Sequence, residues 1–301
     1  MQRFFSWIVE PGFVSSQPVQ VALVIGSLTA IVSAVVGVFT VMRGQSFAGH
    51  ALTDVSTAGG SAAFLLSVSP LFGFVGLGIV GAAVMELIGI QRVRGRDLAT
   101  GIVLGASIGL AALLLYLGTT SGATTGATQQ ILFGSIFTIE SSTIPLVIGF
   151  GAGALLIIAV VYRPLLLSSV SNDIAAAKGV PLRLVGVLFM LALAVSVGLS
   201  SLTIGAILST ALLIGPAATA LRLTARLGVA LIVACGIGVG VTWAGVLLAY
   251  DSYYWGSSRN GFPVSFFIVA LVFLLYVVSG LSSIRNVTAR RERATLQVIT
   301  Q

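Results

Sequence analysis

The chain has 301 residues, of which 57% are hydrophobic and 8% are charged, with a formal net charge of +7. A soluble domain has about 25% charged residues, so this composition excludes a soluble globular protein and indicates a polytopic membrane protein. The single cysteine, Cys235, excludes an internal disulfide and a metal cluster built from cysteines.

Long apolar stretches follow one another along most of the chain. A membrane-spanning helix needs about 20 mainly apolar residues, and this criterion predicts an all-α protein with about nine spans. The predicted spans are 19–42, 47–68, 72–90, 98–117, 144–162, 184–201, 204–221, 227–250 and 264–284. We expect an outer interfacial segment over 1–18, a transmembrane domain over 19–285 and a basic tail over 286–301.

The fifteen arginine and lysine residues are distributed very unevenly over the two sides that nine spans define. Only Arg3 and Arg259 fall on one side, and all the others fall on the opposite side. Cytoplasmic loops are the ones enriched in Lys and Arg. We therefore expect the N-terminus outside and the C-terminus in the cytoplasm, and the positive charge reflects topology rather than nucleic-acid binding.

Two consecutive segments between the predicted fourth and fifth spans are not spans themselves. Residues 119–130 (TTSGATTGATQQ) are small, polar and uncharged, which predicts an outer loop. Residues 131–139 (ILFGSIFTI) are apolar but too short to cross, which predicts a re-entrant or surface helix.

The longest predicted cytoplasmic connection covers 163–183. Within it, Ser171 or Asn172 can cap a helix over 173–178, and Gly179 can end that helix. A short capped helix on the cytoplasmic side is suited to docking a partner, and a plain interfacial loop is the alternative.

The predicted seventh span contains Gly215 followed by Pro216. Proline lacks a backbone donor and clashes with the preceding turn, so we expect a kink or interruption near Gly215. Such breaks flank substrate paths in transporters, although kinked spans without a transport role are also common.

The only histidine, His50, lies four residues before Asp54 in the second predicted span. On a helix these positions share one face, so the imidazole and the carboxylate point the same way. Ionisable residues within a membrane are costly and mark functional sites by default. The alternative is a hydrogen-bonded polar pair that packs two helices together.

A neutral imidazole with a carboxylate suits Mn²⁺, Fe²⁺ and Zn²⁺ better than Ca²⁺ or Mg²⁺, which prefer oxygen ligands alone. His50 and Asp54 are too few for a complete site, and a two-fold axis beside the second span would double them. The residues therefore predict a homodimer with a metal ion on its axis.

The sequence lacks a P-loop and the HExxH, GxSxG and CxxC motifs. The only histidine also lies beside no evident nucleophile, so a membrane hydrolase is not supported.

The chain resembles the permease subunits of the manganese/zinc/iron class of ATP-binding-cassette importers, over most of its length and in the same order. The signature of their second span reads roughly R-x-x-S-F-x-G-D-A-L-x-H. It is matched by Arg43, Ser46, Phe47, Gly49, His50, Ala51, Leu52 and Asp54, with the Asp and the His exchanged. Residues 172–180 (NDIAAAKGV) are similar to the family's coupling helix, and 203–220 and 132–136 are similar to other family segments.

The resemblance implies a bundle like that of type II ABC importers in the bacterial plasma membrane. It implies import of a divalent cation, as substrate rather than permanent cofactor, delivered by an extracellular or periplasmic binding protein. It also implies ATP hydrolysis on a separate subunit. The residues implied to dock on that ATPase are Asn172, Asp173, Ala176, Lys178 and Gly179.

Two other classes of protein compete with an ABC permease. The first is a self-sufficient, proton-coupled secondary cation transporter in which His50 and Asp54 relay protons. The second is a membrane scaffold that transports nothing.

Overall fold

The computed structural model describes residues 13, 15–88, 93–120, 125–134, 136–255 and 261–299, and it describes no side chains in 88, 93–99, 125, 127 and 282–299. Within these residues the secondary structure is helical. The α-helices are α1 (Gln17–Met42), α2 (Ser46–Leu65), α3 (Pro70–Ile88), α4 (Val93–Thr120), α5 (Thr125–Phe133), α6 (Ile144–Val170), α7 (Asn172–Ala177), α8 (Leu182–Ile204), α9 (Ala206–Leu223), α10 (Leu227–Ser252) and α11 (Val264–Ile299). Short 3-10 turns at Ile136–Thr138 and Ser141–Thr143 connect α5 to α6.

Eight helices in the described residues are long and apolar enough to cross a membrane, namely all except α2, α5 and α7. The helix α2 has 20 residues and corresponds to the remaining predicted span, but its Gly, Ser and Thr residues make it less apolar. The prediction of an all-α polytopic membrane protein is confirmed. The orientation of the two termini stays a prediction.

Helix α2 lies inside the bundle, where it packs against α3, α4, α8 and α9. Its glycines allow this close packing. A Cβ atom on Gly59 would collide with the carbonyl oxygen of Gly73 on α3, and one on Gly73 would collide with the carbonyl oxygen of Gly59. A Cβ on Gly60 would lie 2.5 Å from the ring of Phe74. Small residues at these crossings let the two backbones approach each other, as is usual between membrane helices.

Three hydroxyl groups of α2 find their partners within the helix itself, whereas the buried hydroxyl of Ser56 has no partner among the described residues. Thr53 donates to the carbonyl of Gly49 over 3.1 Å, Thr57 to that of Thr53 over 2.7 Å, and Ser61 to that of Thr57 over 2.8 Å. Buried polar groups cost free energy only when they lack partners. A moderately polar helix can therefore occupy the interior of the bundle without interruption.

The segments between α4 and α6 differ from the prediction. Residues 119–130 do not form a loop throughout, because α4 extends to Thr120 and α5 begins at Thr125. The short helix predicted over 131–139 is present but lies earlier in the chain, since α5 spans Thr125–Phe133. The reason is Gly134, which has a φ of +74° and whose backbone lies directly against that of Gly205, leaving no space for a side chain. A helix cannot continue through such a residue.

The helices α8 and α9 are separated by Gly205 alone, whose φ of +85° and ψ of 160° are accessible mainly to glycine. By contrast, α9 runs without interruption from Ala206 to Leu223, although it contains Pro216. The interruption expected near Gly215 is therefore absent, and the break lies earlier, at Gly205. Gly215 instead faces α11, where an added Cβ would collide with Val272. A role of Gly215 and Pro216 in the transport path stays a prediction.

Two predicted terminal segments are only partly covered by the structure. The outer interfacial segment over 1–18 lies outside the described residues except for Phe13 and 15–18. In the predicted basic tail over 286–301, the backbone is described for 286–299 and is helical there, as the last part of α11. The charges of that tail lie outside the described side chains.

Candidate functional site

One narrow face of α2 is open to the outside of the chain, and it carries the predicted site. His50 is exposed, Asp54 is partly exposed and Phe47 is 46% exposed, whereas the flanking residues Leu52 and Thr53 are fully buried. Positions 47, 50 and 54 share one side of a helix. The imidazole and the carboxylate are therefore brought together as predicted, on the surface of this chain rather than in its core.

Helix α9 supplies the polar neighbour of His50. The Nδ1 atom of His50 lies 3.2 Å from the Oγ1 atom of Thr210. Thr210 lies in turn 3.3 Å from the hydroxyl of Thr53, which also lies 3.4 Å from the hydroxyl of Ser209. The site thus consists of an imidazole and a carboxylate on α2, backed by hydroxyl groups on α2 and α9.

The carboxylate of Asp54 is incompletely satisfied. Its Oδ2 atom is inaccessible to solvent and has no hydrogen-bond partner among the described residues. A buried oxygen of this kind is unfavourable unless it has a hydrogen-bond donor or a cation beside it. The described part of the chain contains no group of three or more His, Cys, Asp and Glu side chains positioned to hold a metal. His50 and Asp54 can therefore supply only part of a coordination shell.

The hydroxyl groups around His50 were not identified from the sequence. Thr210 and Ser209 belong to the 203–220 stretch, but nothing in its local pattern distinguishes them from the other small polar residues there. The contact between His50 and Thr210 joins positions 160 residues apart, and it exists only because α2 packs on α9.

The predicted coupling segment forms a capped helix. The side chain of Ser171 accepts a hydrogen bond from the amide of Ile174 over 3.3 Å, and α7 spans Asn172–Ala177. Gly179, with a φ of +73°, ends the helix, and its amide donates to the carbonyl of Ala176 over 2.9 Å. The prediction placed the helix one residue later, at 173–178. These are the usual N-terminal and C-terminal stop signals of a helix.

Most of α7 is available for contact with another molecule. The implied docking residues Asn172, Asp173, Ala176, Lys178 and Gly179 are all exposed. Ile174 is also exposed, at 51%, whereas Ala175 is buried against the bundle. The short helix is therefore anchored on one side and presents the other.

Arg43 connects the start of α2 to the region of α7. Its guanidinium donates to the hydroxyl of Ser168 near the end of α6 over 2.8 Å. It also lies 5.2 Å from the ring centroid of Phe189 on α8, a cation–π distance. The turn before the site helix is thus tied to the helix that leads into the coupling segment.

A profile of the ABC 3 transport family matches residues 15–281, which include α1 to α10, the site and the coupling segment. The chain belongs to the ABC 3 transport family. The resemblance identified from the sequence is confirmed, and the chain is an ABC-type transport permease of the bacterial plasma membrane with multiple membrane-spanning helices.

Relatives within this family share a moderate level of identity with the chain. The manganese transport system membrane protein MntC of Halalkalibacterium halodurans is 32% identical over 77% of this chain and 79% of its own length. The manganese import system permease protein ScaB of Streptococcus pneumoniae is 28% identical over 77% of this chain and 81% of its own length.

A solved structure shares the architecture. A chain of PsaBC from Streptococcus pneumoniae, in complex with a Fab, superposes with a TM-score of 0.75. It is 26% identical, and the match covers 93% of this chain and 95% of that one. The helical arrangement described above is therefore shared with a chain of known structure.

Proposed function

We propose that this ABC 3 permease imports Mn²⁺, with two copies of the chain forming the path and His50 and Asp54 contributed by each. Zn²⁺ and Fe²⁺ also fit an imidazole with a carboxylate. We choose Mn²⁺ as the proposed ion because relatives with 28% and 32% identity are named as manganese transport proteins.

The single observation that carries this proposal is the open face of α2. A helix that is otherwise buried presents His50 and Asp54 outward, and the Oδ2 atom of Asp54 has no donor among the described residues. Structural polar pairs are normally satisfied inside their own chain. A carboxylate with an oxygen that lacks a donor, on the same helix face as an imidazole, is suited to bind a cation.

A second copy of the chain provides the missing ligands. Two side chains are too few for a transition-metal site, and an isologous contact along the face of Phe47, His50 and Asp54 doubles them. A site shared between subunits also allows the ion to leave when the subunits move apart, as transport requires.

In this proposal, other proteins supply the energy for transport and deliver the metal ion. A separate ATPase subunit docks on α7 through Asp173 and its exposed neighbours, and an external binding protein delivers the ion to the outer side. A self-sufficient secondary transporter is not favoured, because the family match is to ABC transport proteins.

The test is ATP-driven uptake of Mn²⁺ into proteoliposomes that contain this chain together with its ATPase subunit. His50→Ala and Asp54→Ala are each expected to abolish uptake while the complex still assembles. Ser61→Ala is the matched control, because Ser61 is buried on α2 and donates to the helix carbonyl of Thr57. Its uptake is expected to equal that of the wild type.

Two results would contradict the proposal. Near-normal uptake by either site variant would show that the substituted residue, His50 or Asp54, is not part of the transport path. Full uptake by this chain alone, without the ATPase and driven by a proton gradient, would favour the secondary transporter. Competition with Zn²⁺ and Fe²⁺ in the same assay identifies the preferred ion.

A further inference from the structure

The hydroxyl groups behind the site can be assigned as donors and acceptors by counting their protons. Thr53 donates its single proton to the carbonyl of Gly49 over 3.1 Å. Ser209, whose hydroxyl lies 3.4 Å from this oxygen, has the carbonyl of Ala206 at 3.1 Å as an acceptor for its own single proton. The oxygen of Thr53 is therefore left as an acceptor for Thr210, at 3.3 Å. A hydroxyl group has one proton and two lone pairs. With the proton of Thr53 on Gly49, Thr210 is the donor in its contact with Thr53.

This assignment fixes the role of the imidazole. The proton of Thr210 is directed at Thr53, so toward His50 the hydroxyl can only accept. The Nδ1 atom of His50, at 3.2 Å from Thr210 Oγ1, is then the protonated ring nitrogen. In a neutral imidazole the other nitrogen carries the lone pair, so Nε2 is available as a metal ligand.

We infer that Thr210 is a positioning residue for the metal site, which holds His50 in the tautomer and orientation that direct Nε2 toward the ion. The inference rests on the proposed function, because it presumes that His50 binds the transported cation. Metal-binding histidines usually donate a hydrogen bond from the N–H of their second ring nitrogen to a carboxylate, a carbonyl or water. In this chain the acceptor is instead the neutral hydroxyl of Thr210, which lies on a different helix from His50.

The choice of a hydroxyl has a consequence for transport. A carboxylate acceptor raises the basicity of a metal-binding imidazole and strengthens its bond to the metal. Thr210 orients the ring without adding negative charge behind it. A site that must release its ion is better served by this weaker support.

Three variants of Thr210 separate the hydrogen bond from the shape of the side chain. Thr210→Val keeps the branched shape and removes the acceptor, whereas Thr210→Ser and Thr210→Ala differ from each other only by the hydroxyl group. Thr57→Val is the matched control, because the hydroxyl of Thr57 donates over 2.7 Å to the carbonyl of Thr53 within α2. The readouts are equilibrium binding of Mn²⁺ and ATP-driven uptake by the complete transporter in proteoliposomes.

Loss of the hydroxyl is expected to weaken Mn²⁺ binding by about 10- to 100-fold in Thr210→Val and Thr210→Ala, as for other partners of metal-binding histidines. Thr210→Ser and Thr57→Val are expected to stay close to the wild type. Recovery by Ser but not by Ala is a result that a purely structural role would not produce. If Thr210→Val does not assemble, the comparison of Ser with Ala carries the test.

The outcomes distinguish this inference from the proposed function. Wild-type binding by Thr210→Val and Thr210→Ala, with binding abolished in His50→Ala, overturns the role of Thr210 and leaves the metal site intact. Equal losses in Ser and Ala also overturn it, because the methyl group is then what matters. Normal uptake by His50→Ala overturns the metal site itself, and the role of Thr210 with it.

Discussion

The guanidinium of Arg43 donates a hydrogen bond to the hydroxyl of Ser168 over 2.8 Å, and the two residues are 125 positions apart in the chain. Arg43 follows the last residue of α1 and lies just before α2, whereas Ser168 lies in the last turn of α6, shortly before α7. The contact ties the end of α6, next to α7, to the start of α2. If α7 docks the ATPase subunit as proposed, this contact is the route by which we expect a displacement of α7 to reach His50 and Asp54.

We predict that Arg43→Ala lowers the amount of Mn²⁺ imported per ATP hydrolysed while leaving Mn²⁺ binding unchanged. Arg43→Lys is expected to restore coupling only in part, since lysine cannot form the planar stack on Phe189 together with the hydrogen bond. Uptake and phosphate release are measured in parallel on the same proteoliposomes. Arg226→Ala, an exposed arginine at the start of α10, is the control. Unchanged coupling in Arg43→Ala would falsify this role.

Gly179 is predicted to be needed for the shape of the coupling segment rather than for space. Its φ is +73°, but an added Cβ would meet nothing within 4 Å. Gly179→Ala places an L-residue in a left-handed conformation at a cost of roughly 1–2 kcal/mol, so we expect weaker association with the ATPase subunit and lower coupling. Gly179→Asn is expected to do less harm, since asparagine visits this region more readily.

The control for Gly179 is Gly153→Ala, because Gly153 lies inside α6 and its Cβ would also meet nothing within 4 Å. Co-purification of the two subunits and the ratio of uptake to ATP hydrolysis are the measurements. If Gly179→Ala and Gly153→Ala give the same co-purification and the same ratio of uptake to ATP hydrolysis, the function of α7 does not depend on the left-handed residue that ends the helix.

The proposed dimer predicts a specific cross-linking pattern. Cys235 is the only cysteine, so Cys235→Ser provides a background without thiols. In that background Phe47→Cys, on the open face of α2, is expected to form a covalent dimer with a short bifunctional thiol reagent in membranes. Val160→Cys, which is 73% exposed on α6, is the control and is expected to remain monomeric. The opposite pattern in a transporter that still imports Mn²⁺ would place the subunit interface elsewhere.

The close approach of α2 and α3 predicts a difference between two glycines on one helix. Gly73 lies directly against the backbone of Gly59, and an added Cβ would be 2.6 Å from the Cβ of Ala63, whereas Gly76 has nothing within 4 Å. Gly73→Ala is expected to lower the free energy of unfolding by about 1–3 kcal/mol, a typical cost of overpacking. Gly76→Ala should have little effect. Thermal unfolding of the two variants in detergent makes the comparison, and equal melting temperatures would contradict the packing described here.

Interactions between residues that are close together in the sequence were sufficient to predict many structural features of this protein. The apolar stretches predict the membrane helices because each must satisfy its backbone inside the bilayer. The spacing of His50 and Asp54 places them on one face of α2 because helical periodicity is a short-range property. Ser171 and Gly179 delimit α7 for the same reason, since caps act over a few residues. These features depend only on neighbours in the chain, so the sequence alone determined them.

Contacts between distant helices were decided only by the tertiary structure. The approach of Thr210 to His50 and of Ser168 to Arg43 depends on how α2, α6 and α9 pack, and no local pattern encodes that packing. The early end of α5 has the same cause, because Gly134 must lie against the backbone of Gly205. Likewise, the break in this part of the chain lies at Gly205, and α9 continues through Pro216. Helix packing in a membrane depends on which small residues meet across an interface, and that becomes visible only when the helices are assembled.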